Sequence, residues 1–412
     1  MTERANLVVV GAGTIGGWAG WFAKTDGAGR VIVLEQGLAG QGASSRAAGV
    51  VRAQGGTPAT VALGRWSIDF YRRQRELIGT DSGFRELGYL ILAVTEDDER
   101  AGRERVAMQQ AQGLEVRWVD AAGAAALVPS LAARGHRGGS FLETDGHIDP
   151  PRNVLAYSLA MRTAGVELRE RTAFTGLRTE PGPNGPRVVG VETAAGPIET
   201  SSVLLTGGPT LRAVGRLAGI RIPAGAARHT VCVLEPAEAF RDPQPMVFDI
   251  GEGLYWRLEE DGLLFGWSNP DEAPGPARAI DWPFHDRMRA RLEALVPPTR
   301  GLGIRKIWAA TIDYTPDHLP IVGPGLLPDG TPIEGLTVAS AGGHGMMWGP
   351  GVSRVAADLA LRGRTDVVDV ADLGLDRFDA DGRSRLASDP IALPFPASAD
   401  DDAVVVPREA RR

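Results

Sequence analysis

Gly11, Gly13 and Gly16 stand in the spacing G-x-G-x-x-G, directly after the apolar run Leu7–Val10. In that order each glycine has a mechanical reason. The first permits a tight strand-to-helix turn, the second lets a pyrophosphate approach the backbone, and the third lets helix and strand pack closely. The helix that follows, read over Ile15–Lys24, offers unpaired N–H groups and a positive dipole end to that pyrophosphate. A second apolar run, Val31–Leu34, ends in Glu35, close to the ~20 residues past the third glycine at which an acid meets the ribose hydroxyls. Against a purely structural βαβ unit stands the complete order of strand, helix, second strand and terminal acid. An acid at position 35 disfavours a 2′-phosphate and so argues against NADP. The fingerprint alone leaves NAD and FAD open.

Such a site needs a large scaffold, and 412 residues suffice for two or three domains at about 100–200 residues each. Hydrophobic residues at 43% and charged residues at 23% fit an ordinary soluble chain. The net charge of −7 argues against a nucleic-acid partner. One cysteine, Cys232, excludes an intrachain disulfide and a cysteine-based metal cluster, so a reducing, cytoplasmic compartment and no metal site are expected. The polar start Met1–Asn6 does not read as a signal peptide. No run of about 18 apolar residues predicts a membrane span. Only Lys24 and Lys306 are lysines, which limits the basic residues available for chemistry.

Along the chain, Gly40–Gly56 is a small-residue loop carrying Arg46 and Arg52. It reads either as a linker or as a wrap around a long, flat cofactor, with Arg52 reaching into a cleft. Ala59–Ile78 reads as a helix, and from Phe84 the chain leaves the βαβ rhythm. Val166–Glu170 is expected to rejoin the first sheet. Arg187–Thr193 and Ile198–Thr206 are expected to form a hairpin-like pair ending at Gly207-Gly208, where backbone again approaches a cofactor. Thr230–Glu235, Met246–Ile250, Leu254–Leu258 and Leu263–Trp267 predict an antiparallel sheet. Gly303–Ile312 is expected to run back towards the first domain. Leu336–Ala341 runs into Gly342-Gly343-His344-Gly345, after which Pro350 opens a helix that Gly363 closes. The fold class is therefore α/β with α+β. A Rossmann-type cofactor domain in three segments (1–83, 145–225 and 301–380) is interleaved with an antiparallel-sheet substrate domain (84–144 and 226–300), and 381–412 form a tail.

The fingerprint with Glu35, the segment Gly42–Gly49, DGHIDP at 145–150, TPDHLPIVG at 315–323 and GGHGMMWGPG at 342–351 together resemble the D-amino-acid oxidase superfamily. More narrowly they are similar to its sarcosine oxidase/glycine oxidase branch of FAD-dependent oxidoreductases. The resemblance spans almost the whole chain in order. It implies FAD along one sheet edge and a substrate sheet over the flavin. The implied reaction is oxidation of the C–N bond of a small amine or amino acid of the sarcosine, glycine or D-amino-acid type. A hydride passes to the flavin, and oxygen or another acceptor takes the electrons. The resemblance carries cofactor contacts onto Gly11, Gly13, Thr14, Ile15, Gly16, Glu35, Gln36, Ala43, Ser44, Ser45, Arg46, Ala48, Gly49, Val50, Ala173, Thr206, Gly207, Gly208, Gly342, Gly343, His344, Gly345 and Met346. Relatives with covalent flavin have a histidine after the second strand or a cysteine near the C-terminal glycine loop. Residues 42–52 hold no histidine and 338–351 no cysteine, so noncovalent FAD is expected, with Cys232 a core residue.

A reduced flavin gathers negative charge at its N1–C2=O edge. The strand end at Gly342–Gly345 and the helix start near Gly349–Gly351 would supply N–H donors and a positive dipole end there. His344 would add a donor or a positive charge, the alternative being a capping or core histidine. Arg52 matches the position at which sarcosine-oxidising relatives hold the substrate carboxylate, which a guanidinium can grip bidentately; a surface arginine is the alternative. Tyr255, Arg257, Trp267 and Met347 are candidates for the pocket wall, although Met346, Met347 and Trp348 read equally as core, and His229 and His318 as structural. Oxidases of this branch often carry a lysine near the flavin, where Gly262–Trp267 has Leu263 and Leu264; the electron acceptor stays open. The alternative functions are oxidation of a 2-hydroxy acid or alcohol on the same fold, or a low-turnover flavoprotein subunit.

Overall fold

Every residue of Leu7–Val10 is buried, because the strand feeds two cores at once. Leu7 and Val9 face one core, Val8 and Val10 the other, which is why the run is continuously apolar rather than alternating. A computed structural model, describing residues 3–277 and 279–396, sets this strand in a ten-stranded sheet. Its parallel heart runs Glu167–Arg169, Val31–Leu34, Leu7–Val10, Val203–Leu205, Pro332–Ser340. The first of these is the expected return of Val166–Glu170. Helices Thr14–Thr25, Pro150–Ala164 and Gly349–Arg362 supply the first core. The hairpin Phe174–Gly182/Gly185–Thr193 and the short helix Leu211–Leu217 close the second.

A second sheet of eight strands runs Ile304–Tyr314, Gly225–Leu234, Gly262–Ser268, Leu254–Glu259, Met246–Asp249, Tyr89–Leu92, Gly139–Leu142, Arg117–Val119. It is antiparallel except where Met246–Asp249 pairs with Tyr89–Leu92. Its alternation separates two faces. Cys232, Trp256, Phe265 and Trp267 pack beneath the helix Trp282–Leu295, whereas Val231, Tyr255 and Leu264 face the Ala48–Val50 side of the cofactor loop. A small three-stranded sheet, in which Val50 pairs with His147 and Arg85 with His147, ties that loop to the DGHIDP turn.

Three expectations need correction. Ile198–Thr206 is not one strand of a hairpin: Ile198–Glu199 pairs antiparallel with Gly190–Val191, and Val203–Leu205 then enters the central sheet parallel to Leu7–Val10. The break is local. The Thr200 hydroxyl donates to Ser202 O at 3.0 Å and accepts from Ser202 N, the kind of side-chain bonding that competes with a strand ladder. The run read as Gly303–Ile312 does not return to the first domain, but pairs along its length with Gly225–Leu234 in the second sheet. The return begins only at Thr315, whose hydroxyl donates to Leu319 O at 2.7 Å. Finally, residues 381–396, expected as part of a tail, pack onto the body of the fold. Ile391 and Phe395 are buried, and Phe395 stacks on Tyr314 at 5.0 Å and 9°. The remainder of the expected tail, 397–412, lies outside the described residues.

The turn before the glycine loop is held by a fully buried ion pair. Arg377 Nε reaches Asp317 Oδ2 at 2.7 Å and Nη2 reaches Oδ1 at 3.1 Å. Burial would raise the Asp317 carboxyl, but Arg377 overrides it and holds the carboxyl below its ordinary value. Asp317→Ala should therefore cost about 3–5 kcal/mol at pH 7 by leaving a buried guanidinium alone. The depressed carboxyl contributes stability above the unfolded value of about 3.9 and loses it as pH falls through the lower folded value. Urea denaturation should then show the variant's deficit shrinking between pH 5 and pH 3, and a constant deficit would contradict this account.

Candidate active site

The fingerprint turn is built from backbone contacts that exclude side chains. Gly11 has φ +101°, a conformation that costs glycine little. A Cβ on Gly16 would lie 1.8 Å from the Gly11 carbonyl oxygen. Thr206, at the end of the adjacent parallel strand, donates from its hydroxyl to Val10 O at 2.8 Å and packs against the same turn. The helix Thr14–Thr25 begins at Gly13, which offers no side-chain cap. Thr14 N donates to Ser44 Oγ at 3.0 Å, and a helix start without a side-chain cap is where backbone N–H groups can meet an anion. Glu35 accepts from Ala12 N at 2.9 Å and from Gly37 N at 2.8 Å, so its carboxylate is fixed at the lip of the turn. Gln36 beside it is exposed, and Ala173 continues the neighbouring edge, its carbonyl accepting from Ala194 N.

The loop Ala43–Val50 is clamped rather than free. Trp308 Nε1 donates to Arg46 O at 2.8 Å and Arg257 Nε donates to Ala48 O at 2.9 Å, both from the second sheet. Arg46 folds back on Gly42 O at 3.1 Å. Asp145, first residue of DGHIDP, accepts from Ala53 N at 2.7 Å and from Gln54 Nε2 at 3.1 Å. Burial pushes its carboxyl up to about 7.

The C-terminal glycine loop comes back to the fingerprint. Asn153 Nδ2 bridges Thr14 Oγ1 at 3.2 Å and Met346 Sδ at 3.7 Å, and a Cβ on Gly349 would lie 2.9 Å from Thr14 Cγ2. The starts of the helices Thr14–Thr25 and Gly349–Arg362 therefore converge. Tyr71 Oη donates to Met346 O at 2.7 Å, and Met346 and Met347 both belong to the core of the first sheet. Gly345 has open space where a side chain would be. His344 Nδ1 lies 3.0 Å from Gly342 O. A carbonyl only accepts, so Nδ1 carries the proton. Burial, then the charge of Arg52, drives the imidazole down to about 3, so His344 is neutral and its Nε2 is an acceptor. The positive charge expected of it is absent, which leaves donation at this loop to backbone N–H groups.

Arg52 is buried, not on the surface. It donates to Gln54 O and, through Nη2, to Ile391 O at 2.8 Å, and the Tyr89 hydroxyl also bonds to it. From the second sheet, Tyr255 reaches the same region. Its Oη lies 2.6 Å from His229 Nε2, and His229 Nδ1 lies 3.0 Å from Ser268 Oγ. Gly266 makes room for this pairing, since a Cβ there would lie 2.1 Å from Tyr255 Oη. Burial lowers His229 to about 4 and holds the Tyr255 phenol well above its ordinary value. Sequence reasoning read His229 as structural; the signal for its place beside Tyr255 was period two, which puts His229 and Val231 on one face of their strand. Arg257 lies on the site face but is spent on Ala48 O and on Glu259 at 2.5 Å. Trp267 does not reach the site: it faces the opposite side, 5.2 Å from Phe265 and 5.5 Å from His285. Cys232 shares that far face, its thiol pushed up to about 12 by burial.

A family model described as FAD dependent oxidoreductase matches residues 6–359. The chain is 28% identical, over 93% of its length, to 4-methylaminobutanoate oxidase (formaldehyde-forming) of Paenarthrobacter nicotinovorans, of which the match covers 47%. It is 26% identical to sarcosine oxidase subunit beta of Rhodobacter capsulatus, covering 91% of this chain and 89% of that one. The chain thus spans about half the length of the first of these relatives and most of the second. Among solved structures, glycine oxidase from Geobacillus kaustophilus superposes with a TM-score of 0.77 at 25% identity, covering 91% of this chain and 99% of that one. L-proline dehydrogenase from P. horikoshii shares the fold, with a TM-score of 0.81 at 23% identity over 92% and 98% of the two chains.

Three buried histidines give this site a pH signature. Burial lowers His147 to about 3, His229 to about 4 and His344 to about 3, each far below the ~6.5 of an unfolded histidine. Below pH 6.5 the unfolded chain binds protons that these groups refuse, so each removes about 1.4 kcal/mol of stability per pH unit until its folded value is reached. Imidazole C2–H resonances of all three should stay at their neutral positions at pH 5.0. Titration of any of them near 6.5 would refute the burial argument for it.

Proposed function

The chain belongs to the FAD-dependent oxidoreductase family, and on that premise we propose that it oxidises the C–N bond of a small N-methylated amine or amino acid. The names of its relatives point that way, to 4-methylaminobutanoate and sarcosine. The observation that carries the reading is the set of buried polar groups Arg52, His344 and Tyr255–His229–Ser268, with Tyr255 on the face of the second sheet turned to the cofactor loop. The chemistry FAD supplies when bound is acceptance of a hydride from the carbon beside the nitrogen, the imine product being hydrolysed by water.

The residues fit that group. The side-chain-free contact of Gly11 with Gly16 and the uncapped start of the helix Thr14–Thr25 suit its pyrophosphate, with Glu35 for the ribose. The open space at Gly345 and the helix start at Gly349 suit the ring edge. Cys232 on the far face supports noncovalent attachment. On the substrate side, Arg52 is a fixed positive charge in a buried setting, which disfavours an ammonium and favours the neutral amine. Tyr255 stays protonated and is held by His229, whose ring Ser268 orients, so one hydroxyl is presented at a set angle. Lys306 stands over Trp308 at 4.9 Å on the exposed edge of the second sheet, so oxygen is expected to be a slower acceptor than a redox dye.

The visible spectrum of the purified protein, followed without oxygen while sarcosine, 4-methylaminobutanoate, simple N-methylamines and 2-hydroxy acids are added, tests this. Bleaching by an N-methylated compound is the expected result, and bleaching by a hydroxy acid alone would overturn it. Tyr255→Phe should slow bleaching by ~10²-fold, the usual scale of a positioned proton-bearing group, with the half-saturating concentration little changed. An unaltered rate would remove Tyr255 from the reaction.

A further inference from the structure

The glycine loop is tied to the second sheet by a carboxyl that the proposed reaction does not use. Ser340, the last residue of its strand, donates from Oγ to Asp313 Oδ2 at 2.6 Å and accepts from Gly342 N at 3.0 Å. The Asp313 carboxyl also accepts from Gly343 N. The two backbones press together as well: a Cβ on Gly343, whose φ is +87°, would lie 2.9 Å from the Asp313 carbonyl oxygen. With His344 N on Ala341 O at 3.1 Å, the first three N–H groups of the loop are spent inside the protein. Two of them lead to Asp313, one directly and one through Ser340.

Asp313 stands opposite Ala226 on the paired strand, and among the described residues no ion pair includes it. The ionisable groups on the elements packed around it are engaged elsewhere or uncharged. On the paired strand Arg228 holds Glu272 at 2.9 Å, with Asp281 at 3.8 Å. In the following turn Asp317 is held by Arg377, and burial lowers His318. On the loop His344 is neutral, and in the segment 389–396 Asp389 sits in the field of Arg52 and Arg105. Arg212, beyond the turn Gly208–Thr210, is partnered too. Asp313 keeps some accessible surface, yet its carboxyl is enclosed enough for burial to raise it, opposed by hydrogen bonds alone. Negative charge developing at the loop faces a carboxylate that no cation offsets, and a like charge favours the protonated form.

On the cofactor placement given above, we propose that Asp313 takes up one proton when the cofactor held at the glycine loop is reduced, and releases it on reoxidation. Hydride from the substrate carbon carries two electrons and one proton to the ring and leaves one negative charge at its N1–C2=O edge. The Asp313 carboxylate then takes one proton from solvent and becomes a neutral acid. When an acceptor removes the two electrons, the proton of the hydride and the proton on Asp313 both leave. Acting through Ser340 and Gly343, Asp313 is a positioning residue.

The test is the midpoint potential of the flavin-loaded protein, equilibrated with redox dyes and a chemical reductant so that no substrate is needed. It is measured from about pH 6 to about pH 10, the range a buried carboxyl can reach. Wild type should show an interval at least about one pH unit wide, an ordinary size for coupling between linked sites. Within it the potential should fall about twice as steeply with pH as outside, because two protons rather than one accompany the two electrons. Asp313→Asn should follow the shallower line throughout. Ser340→Ala, which removes a bond that lowers the carboxyl, should move the interval to higher pH. A wild type without a steep interval, or an Asp313→Asn protein that keeps it, overturns the proposal. A residue that merely shaped the loop would displace the potential equally at every pH.

Should Asp313→Asn fail to hold the cofactor, redox difference infrared spectra of wild type, isotope-labelled at the aspartate carboxyl, decide. A protonated-aspartate band must appear on reduction within the steep interval, and its absence overturns the proposal. Either failure leaves amine oxidation standing, since the reductant replaces the substrate. Bleaching by no amine sinks the amine reading and leaves this inference intact, whereas a protein that takes up no flavin sinks both.

Discussion

The Arg52 guanidinium holds three parts of the chain in one place. It belongs to the loop that follows the fingerprint, bonds to the carbonyl of Ile391 near the C-terminal end of the described chain, and meets Tyr89 in the second sheet. None of these neighbours is close in sequence. A guanidinium can do this because it carries five donors in a plane and does not deprotonate in proteins, so backbone carbonyls can be gathered around it in an interior where each would otherwise need its own partner. Its charge then shapes what lies beside it. His344 is kept neutral by burial reinforced by Arg52, and a neutral ring bonded through Nδ1 keeps its Nε2 as an acceptor. The polarity of the site follows from one fixed cation and the titratable rings it discourages from charging.

Around that point the architecture is a joint between two sheets. The first contributes strand ends and helix starts, where backbone N–H groups are free. The second contributes one face of an antiparallel sheet, where side chains project at period two. The loop Ala43–Val50 is held from both sides, by Ser44 on Thr14 and by Trp308 and Arg257 from the second sheet. A small-residue loop held at so many points is closer to a preformed wall than to a flexible linker.

The parts of this joint that were legible in the sequence are those whose causes are local. Gly11, Gly13 and Gly16 are dictated by a turn and a contact within six residues, and the parallel strands by short runs of β-branched residues that need burial on both faces. The second sheet's strands were legible for the same reason. What sequence could not show depends on distant partners. Trp267 and Tyr255 look alike as aromatic residues in adjacent strands; only the position of the helix Trp282–Leu295 decides that Trp267 is on the wrong face. The strand Ile304–Tyr314 has the composition of either sheet, and its partner, Gly225–Leu234, lies about eighty residues earlier. His229 reads as an isolated core histidine until Tyr255 and Ser268 are placed across from it.

The segment 381–396 shows the limit most sharply, because its composition argued for the opposite of what it does. Asp, Ser and Pro are common in unstructured chain because they compete with regular secondary structure. The same properties serve a segment that must cross the joint between two sheets without joining either. Asp389 folds the backbone by accepting from Ile391 N, its own N–H goes to Asp317 O, and Asp317 is in turn anchored by Arg377. Ile391 and Phe395 then drop into cores prepared elsewhere, beside Tyr89 and Tyr314. Irregular structure of this kind is as specified as a strand, but by side-chain hydrogen bonds and a few buried apolar anchors rather than by a repeating ladder. Its composition is therefore no guide to its order, and residues closing a site from such a segment are found only when their partners are in view.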